Sequence, residues 1–252
     1  MIVTDARNFS APPTLAKNGF ELQTSPSCVS NFYDDEAIRR VYYDEAAELV
    51  RTATGARHAF TFMHMRRDSS FANKEVAQAA ADGGDGTAGA TANAAASPSH
   101  GAIQIVHSDY TETNAASKLA ELEERGVVPP GCATGRRFAV VNVWRSIDGA
   151  HPVMSLPLAM LDAATVRLED CFRYALVNAE HEPPLAGFTN NVGHSMAHRW
   201  YYYDRMVADE ALLLYTYDGT ASPPRFVFHT AVDTGRDGPP RRSIEVRCLA
   251  IF

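Results

Sequence analysis

The sequence is poor in cysteine, has no long apolar run and carries no basic block. Its four cysteines, Cys28, Cys132, Cys171 and Cys248, stand far apart, with no Cys-x-x-Cys pair. That excludes zinc-ribbon spacing and a dense disulfide framework, and buried free thiols are the expected state. No apolar stretch approaches the roughly 20 residues a membrane-spanning helix needs. Met1 to Pro13 shows no basic start followed by an apolar run, so no secretory leader is read there. A formal net charge of -7 argues against nucleic acid or an anionic membrane as the main partner. A small anionic ligand stays admissible, because a local arginine pocket can sit in an acidic protein. There is no GKS or GKT phosphate loop, and His194-Ser195 is not part of a GxSxG nucleophile elbow, so a serine hydrolase is not indicated. These absences point to a soluble, cytoplasmic protein acting on a small molecule.

With 252 residues and 46% hydrophobic content, the chain can bury one sizeable core. The expectation is a single domain over residues 1–252, interrupted by a flexible Ala/Gly-rich insert at about 68–101. Met1 to Pro26 reads as an extended arm. Asn31 to Thr54 reads as a helix, with Asp34 and Asp35 near its start and Ile38, Val41, Tyr42, Ala46 and Leu49 at helical spacing. His58 to Met65 reads as a strand. Beyond the insert the pattern is mainly β: Ala102–Tyr110, Arg137–Ser146, His198–Tyr203, Leu212–Tyr217, Arg225–Thr230 and Ser243–Phe252. Helical pieces are expected at Thr113–Arg125 and near Leu161–Arg167. Many short strands separated by turn signals indicate a sandwich or barrel with flanking helices rather than βαβ units.

The chemistry-bearing residues lie on these strands. His107 and Asp109 are two apart, so on a strand both point to one face and can meet one cation. His229, on another strand, supplies a third ligand; His198 is its rival. Two histidines and one carboxylate leave open positions at the metal, which suits iron(II) that must bind a cosubstrate and dioxygen. Twelve residues after His229 comes Arg241, followed by Ser243, Glu245 and Arg247 on the same strand face. A guanidinium forks onto a carboxylate, and a serine hydroxyl adds a further hydrogen bond. Such a segment is what a dicarboxylate like 2-oxoglutarate needs, with either Arg241 or Arg247 as the grip. Taken alone, it also reads as an exposed edge strand. Asn142 is a candidate for hydrogen bonding the cosubstrate, and Arg145 for closing the strand end over an anionic group. Trp200 and Tyr202 share a face and read either as core or as the wall of a substrate pocket.

The chain resembles the fungal and bacterial secondary-metabolite hydroxylase/desaturase family typified by AsaB, which includes the cephamycin methoxylation protein CmcJ. The resemblance rests on Asn18-Gly19-Phe20, Tyr43-Asp44-Glu45, His107-Ser108-Asp109-Tyr110-Thr111 and Asn142-Val143-Trp144-Arg145. It continues through Pro157-Leu158-Ala159, Asp162, His198-Arg199-Trp200-Tyr201-Tyr202, Met206, Asp209-Glu210, Tyr217-Asp218, His229 and Arg241 to Arg247. It implies a double-stranded β-helix (jelly-roll, cupin-like) core, iron(II), 2-oxoglutarate and dioxygen, and oxidation of a small secondary metabolite by hydroxylation, desaturation or related C–H chemistry. A homodimer or a partner tailoring enzyme is compatible with it. The alternatives are a non-catalytic metal-bearing jelly roll and a hydrolytic zinc site on the same scaffold. The insert before His107 is longer than the family pattern, and Ser146 follows Arg145 where proline is expected.

Overall fold

The computed structural model describes residues 2–70, 101–178, 185–222 and 225–252. Most of the anticipated insert, residues 71–100, lies outside the described residues.

The first 26 residues are not an extended arm. They hold strand β1 (Val3–Asp5), a one-turn helix α1 (Leu15–Asn18) and strand β2 (Phe20–Thr24). Thr14 caps α1 by accepting from the Lys17 amide. Gly19 ends it at φ 81, where an added Cβ would sit 2.5 Å from Val227 Cγ2, so glycine is required both by conformation and by space. Asp34 caps the next helical run by accepting from the Glu36 and Ala37 amides. That run is α2 (Asp35–Ala37), a π-helical turn (Ile38–Tyr42) and α3 (Tyr43–Thr54). Strand β3 (His58–Asp68) follows, three residues longer than expected.

After Gly101 the chain runs to helix α4 (Glu112–Glu124), closed at its start by a Thr111–Asn114 capping box. Strands β4 (Phe138–Ser146), β5 (Leu158–Leu161), β6 (Cys171–Asn178), β7 (Leu185–Val192), β8 (Trp200–Tyr202), β9 (Glu210–Asp218), β10 (His229–Ala231) and β11 (Arg242–Ile251) complete the described chain. The expected helix near Leu161–Arg167 is two 3-10 turns, Ala163–Thr165 and Leu168–Asp170. The Asp162 side chain starts the first by bonding the Ala164 amide, and the chain turns extended again at Val166.

A five-stranded antiparallel sheet, β2-β9-β4-β11-β3, faces a four-stranded sheet, β1-β8-β5-β10. This is a double-stranded β-helix, with helices on the larger sheet. Tyr42, Ala46 and Val50 share one buried cluster with Val141, Val143, Ile244, Val246 and Cys248, so the helical run covers the outer face of the larger sheet. The segment expected as strand Ala102–Tyr110 forms no continuous strand: it makes isolated bridges, His107 to His229 and Ser108 to Asn190, and the Ile103 carbonyl accepts from the Ala231 amide at 2.8 Å. Those bridges extend the smaller sheet from β10 to the β6–β7 hairpin. All four cysteines are free, and Cys28, contrary to expectation, is exposed. Among the described residues no helix is long and apolar enough to cross a membrane.

Candidate metal centre

His107 and His229 exchange both backbone hydrogen bonds, at 3.2 and 2.9 Å. Residues paired this way across antiparallel strands put their side chains on the same face. The two imidazole rings accordingly stand 4.5 Å apart between centroids. Asp109, two residues on, brings a carboxylate oxygen to 3.8 Å from His107 Nε2. One ligand atom from each of His107, Asp109 and His229 falls within 4.8 Å of the others.

The ligand atoms are oriented from behind. His107 Nδ1 bonds the Ile105 carbonyl at 2.8 Å, and His229 Nδ1 bonds the Val227 carbonyl at 3.3 Å. A carbonyl only accepts, so each Nδ1 carries a proton and Nε2 is the ring atom left to meet a metal. Asp109 accepts from Asn142 Nδ2 at 2.7 Å and from Arg247 Nη2 at 2.8 Å, one on each oxygen. Burial works to raise the Asp109 pKa, but Arg247, the two imidazoles and the Asn142 hydrogen bond outweigh it and hold it at about 2. Burial lowers the His229 pKa, and the neighbouring His107 adds to that. The set is two imidazoles and one carboxylate, a donor set suited to a divalent transition metal.

The inner face of the larger sheet forms the opposite wall. Its pairing sets out rows: Arg67, Ser243 and Ser146; then Met65, Glu245 and Trp144; then Met63, Arg247 and Asn142. Arg67, Trp144, Arg241 and Glu245 line a narrow cleft together with the His107–Asp109–His229 set. Arg241 is 3% exposed, and its Nη1 donates to the Leu156 carbonyl at 2.7 Å. Leu156 itself sits at φ 48, a left-handed conformation of the kind that collects at functional sites. Arg241 Nε and Ser243 Oγ are buried and have no hydrogen-bond partner among the described residues. Buried polar atoms are nearly always satisfied, so this pair calls for an acceptor, and a carboxylate fits both. Burial, with the nearby Arg67, lowers the Arg241 pKa to about 10.

Several expected roles change. Arg247 and Asn142 are engaged with the two oxygens of Asp109 and are not among the residues lining the cleft. Burial works to lower the Arg247 pKa, but Asp109 and Glu245 hold it above its ordinary value. Arg145 lies on the other side of β4 from Trp144. It is buried, donates to the Tyr42 hydroxyl and the Ser25 carbonyl at 2.8 Å each, and ties the N-terminal segment to the sheet instead of closing over an anion. Trp200 and Tyr202 do not line the metal cleft. Trp200, 7% exposed, clusters with Leu161 and Phe228, and Tyr202 packs against the same cluster. Val106 and Phe228, the neighbours of His107 and His229, belong to that cluster too, so it occupies the opposite face of the smaller sheet. His198 pairs with Asp170 at 3.3 Å and is not part of the ligand set. Sequence reasoning missed Arg67, because ending β3 at Met65 left its face unassigned.

The chain matches, across residues 1–251, the family described as oxidoreductase/YMDC permease-like domain. It is 30% identical to the hydroxylase/desaturase efuI of Hormonema carpetanum, over 100% of this chain and 83% of that protein. It is 28% identical to the Fe(II)/2-oxoglutarate-dependent dioxygenase nvfI of Aspergillus novofumigatus, over 89% of this chain and 72% of the relative. A solved structure of a variant of the iron and alpha-ketoglutarate-dependent endoperoxidase NvfI superposes with a TM-score of 0.75 at 24% identity. The match covers 98% of this chain and 84% of that one.

Proposed function

Because the chain belongs to the oxidoreductase/YMDC permease-like domain family, we propose that it is an iron(II)- and 2-oxoglutarate-dependent oxygenase of a small secondary-metabolite substrate. His107, Asp109 and His229 would hold the iron, and Arg241 with Ser243 would take the far carboxylate of 2-oxoglutarate. The observation that carries this reading is the pair of orphaned buried donors, Arg241 Nε and Ser243 Oγ, in the cleft that also holds a three-ligand set. A hydrolytic zinc site would leave that pair unexplained.

When bound, iron with 2-oxoglutarate and dioxygen supplies a two-electron oxidation of a substrate C–H bond, coupled to decarboxylation of the 2-oxo acid to succinate. The chain's own residues do the positioning. The Ile105 and Val227 carbonyls fix the imidazole rings, and Arg247 with Asn142 fixes the Asp109 carboxylate. Ile103, Leu158 and Trp144 give the cleft apolar walls that displace water from the reacting centre. The four free thiols accord with a reducing compartment, and we assign the protein to the cytoplasm.

Iron(II)-loaded protein titrated with 2-oxoglutarate under anaerobic conditions should develop a weak visible charge-transfer band. Its absence in folded, metal-loaded protein overturns the oxygenase reading. The His107→Ala variant is the control: it should keep the far-ultraviolet circular dichroism of the parent, lose stoichiometric iron and show no band.

A further inference from the structure

Arg67 stands directly across from Ser243 in the β3–β11 pairing. Residues so placed have Cβ atoms about 5 Å apart on the same face. Arg241 precedes Ser243 by two residues and lines the same cleft as Arg67. The half-buried Arg67 guanidinium donates to the Gly101 carbonyl at 3.0 Å, and among the described residues no carboxylate pairs with it. Glu245, one row further on, is engaged with Arg247 at 3.2 Å. Arg67, Arg241 Nε and Ser243 Oγ thus border one spot with two guanidinium groups, and the nearest carboxylates of the cleft, Glu245 and Asp109, are already bonded to Arg247. The two guanidinium groups repel each other, which together with burial weakens the hold of Arg241 on its proton.

A carboxylate resolves this arrangement, because its two oxygens accept about four hydrogen bonds and its charge answers both cations. We propose that Arg67 is a second guanidinium of the site for the distal carboxylate of 2-oxoglutarate, so that the grip spans the edge strand β3 as well as β11. Through Gly101 the same side chain also ties the bound dicarboxylate to the segment that leads to His107. The inference rests on the oxygenase reading above, and names a positioning residue that the reading does not require.

The test is calorimetry on the full-length protein loaded with manganese(II), using 2-oxoglutarate and 2-oxobutyrate. The second probe keeps the chelating 2-oxo acid and lacks the distal carboxylate. Arg67→Gln should weaken 2-oxoglutarate binding by about tenfold or more, the size of one lost charge-assisted hydrogen bond. It should leave 2-oxobutyrate binding within about twofold, since that ligand never made the contact. Equal losses for the two ligands would mean a merely structural role, and no loss for 2-oxoglutarate would mean that Arg67 serves a carboxylate from another source, such as the substrate; either overturns the proposal. Should Arg67→Gln fail to fold, Arg67→Lys carries the same comparison, because it keeps the charge and loses the fork. A loss selective for 2-oxoglutarate supports the proposal there too, and an unselective one overturns it. If metal-loaded wild-type protein binds neither ligand, the oxygenase reading itself fails; if it binds 2-oxoglutarate tightly and Arg67 proves silent, only the second grip fails.

Discussion

The inner face of the larger sheet has two halves built from the same strands. Towards one end β11 contributes Ser243, Glu245 and Arg247, β4 contributes Trp144 and Asn142, and β3 contributes Arg67. Towards the other end the same three strands contribute Leu249 and Ile251, Val140 and Phe138, and Phe60 and Phe62, all in one apolar cluster with Tyr110 and Leu122. The boundary is marked in the backbone. The β11–β3 register shifts between Arg247 and Cys248, and the β4–β9 register shifts between Val140 and Val141. The second irregularity frees the Thr216 carbonyl to accept from Ser108 Oγ at 2.8 Å, and so anchors the residue between His107 and Asp109. Bulges that end one pattern and re-aim a chain beside a site are a recurrent device. One half therefore stabilises the fold, and the other holds charges that only ligands neutralise fully.

The largest expected effect strikes at that division. Arg247→Met removes the cation beside Asp109 and leaves a buried carboxylate uncompensated, a change that typically costs about 3–5 kcal/mol. Chemical denaturation of the metal-free variant should show that loss. Burial opposes ionisation of Asp109, yet its neighbours hold the pKa at about 2, below the usual carboxylate value. Its contribution to wild-type stability is therefore present above the unfolded-state pKa of about 4 and lost as the pH falls toward the folded value. Manganese(II) should rescue the variant more than it stabilises the parent, since a divalent ion replaces the missing guanidinium. An equal increment for the two proteins would show that Arg247 does not serve Asp109.

In the apolar half, Leu249→Ala empties a fully buried position between Phe60 and Val140. The expected loss is about 3 kcal/mol, within the range for large-to-small core changes. Metal stoichiometry at saturation should stay at the parent value, because Leu249 belongs to the apolar cluster and not to the residues lining the metal cleft. Loss of metal binding in a still-folded Leu249→Ala protein would show that the halves are coupled rather than divided.

Much of this division was legible in the sequence. Alternation on β11 separates Arg241, Ser243, Glu245 and Arg247 from Ile244 and Val246, and the two-residue spacing brings His107 and Asp109 to one side. Depth along the face was not legible, which is why Arg247 and Asn142 read as cosubstrate contacts when they hold Asp109. Nor does alternation say which face of a strand is inside when both are apolar, and so core and pocket wall stayed open for Trp200 and Tyr202, which sit in and against the core cluster on the far face of the smaller sheet. Strand β5 is four buried apolar residues with no alternation at all. The His107 segment reads as a strand but forms only isolated bridges, because the three-residue strand β10 meets it at His107 and Ile103 and β7 meets it at Ser108.

The smallest expected effect is also the most direct measure of what the polar half costs. Ser243 is 1% exposed, and its hydroxyl has no partner among the described residues. A buried unsatisfied hydroxyl is unfavourable, while its methyl counterpart is not. Ser243→Ala should therefore stabilise the ligand-free protein by about 1 kcal/mol, whereas most buried substitutions destabilise. The same change removes one hydrogen bond to the proposed carboxylate and should weaken 2-oxoglutarate binding by about fivefold. The two signs must oppose each other if this position trades stability for binding. A variant less stable than the parent and unaltered in 2-oxoglutarate affinity would place Ser243 in the structural half, and would move the boundary between the halves to Glu245.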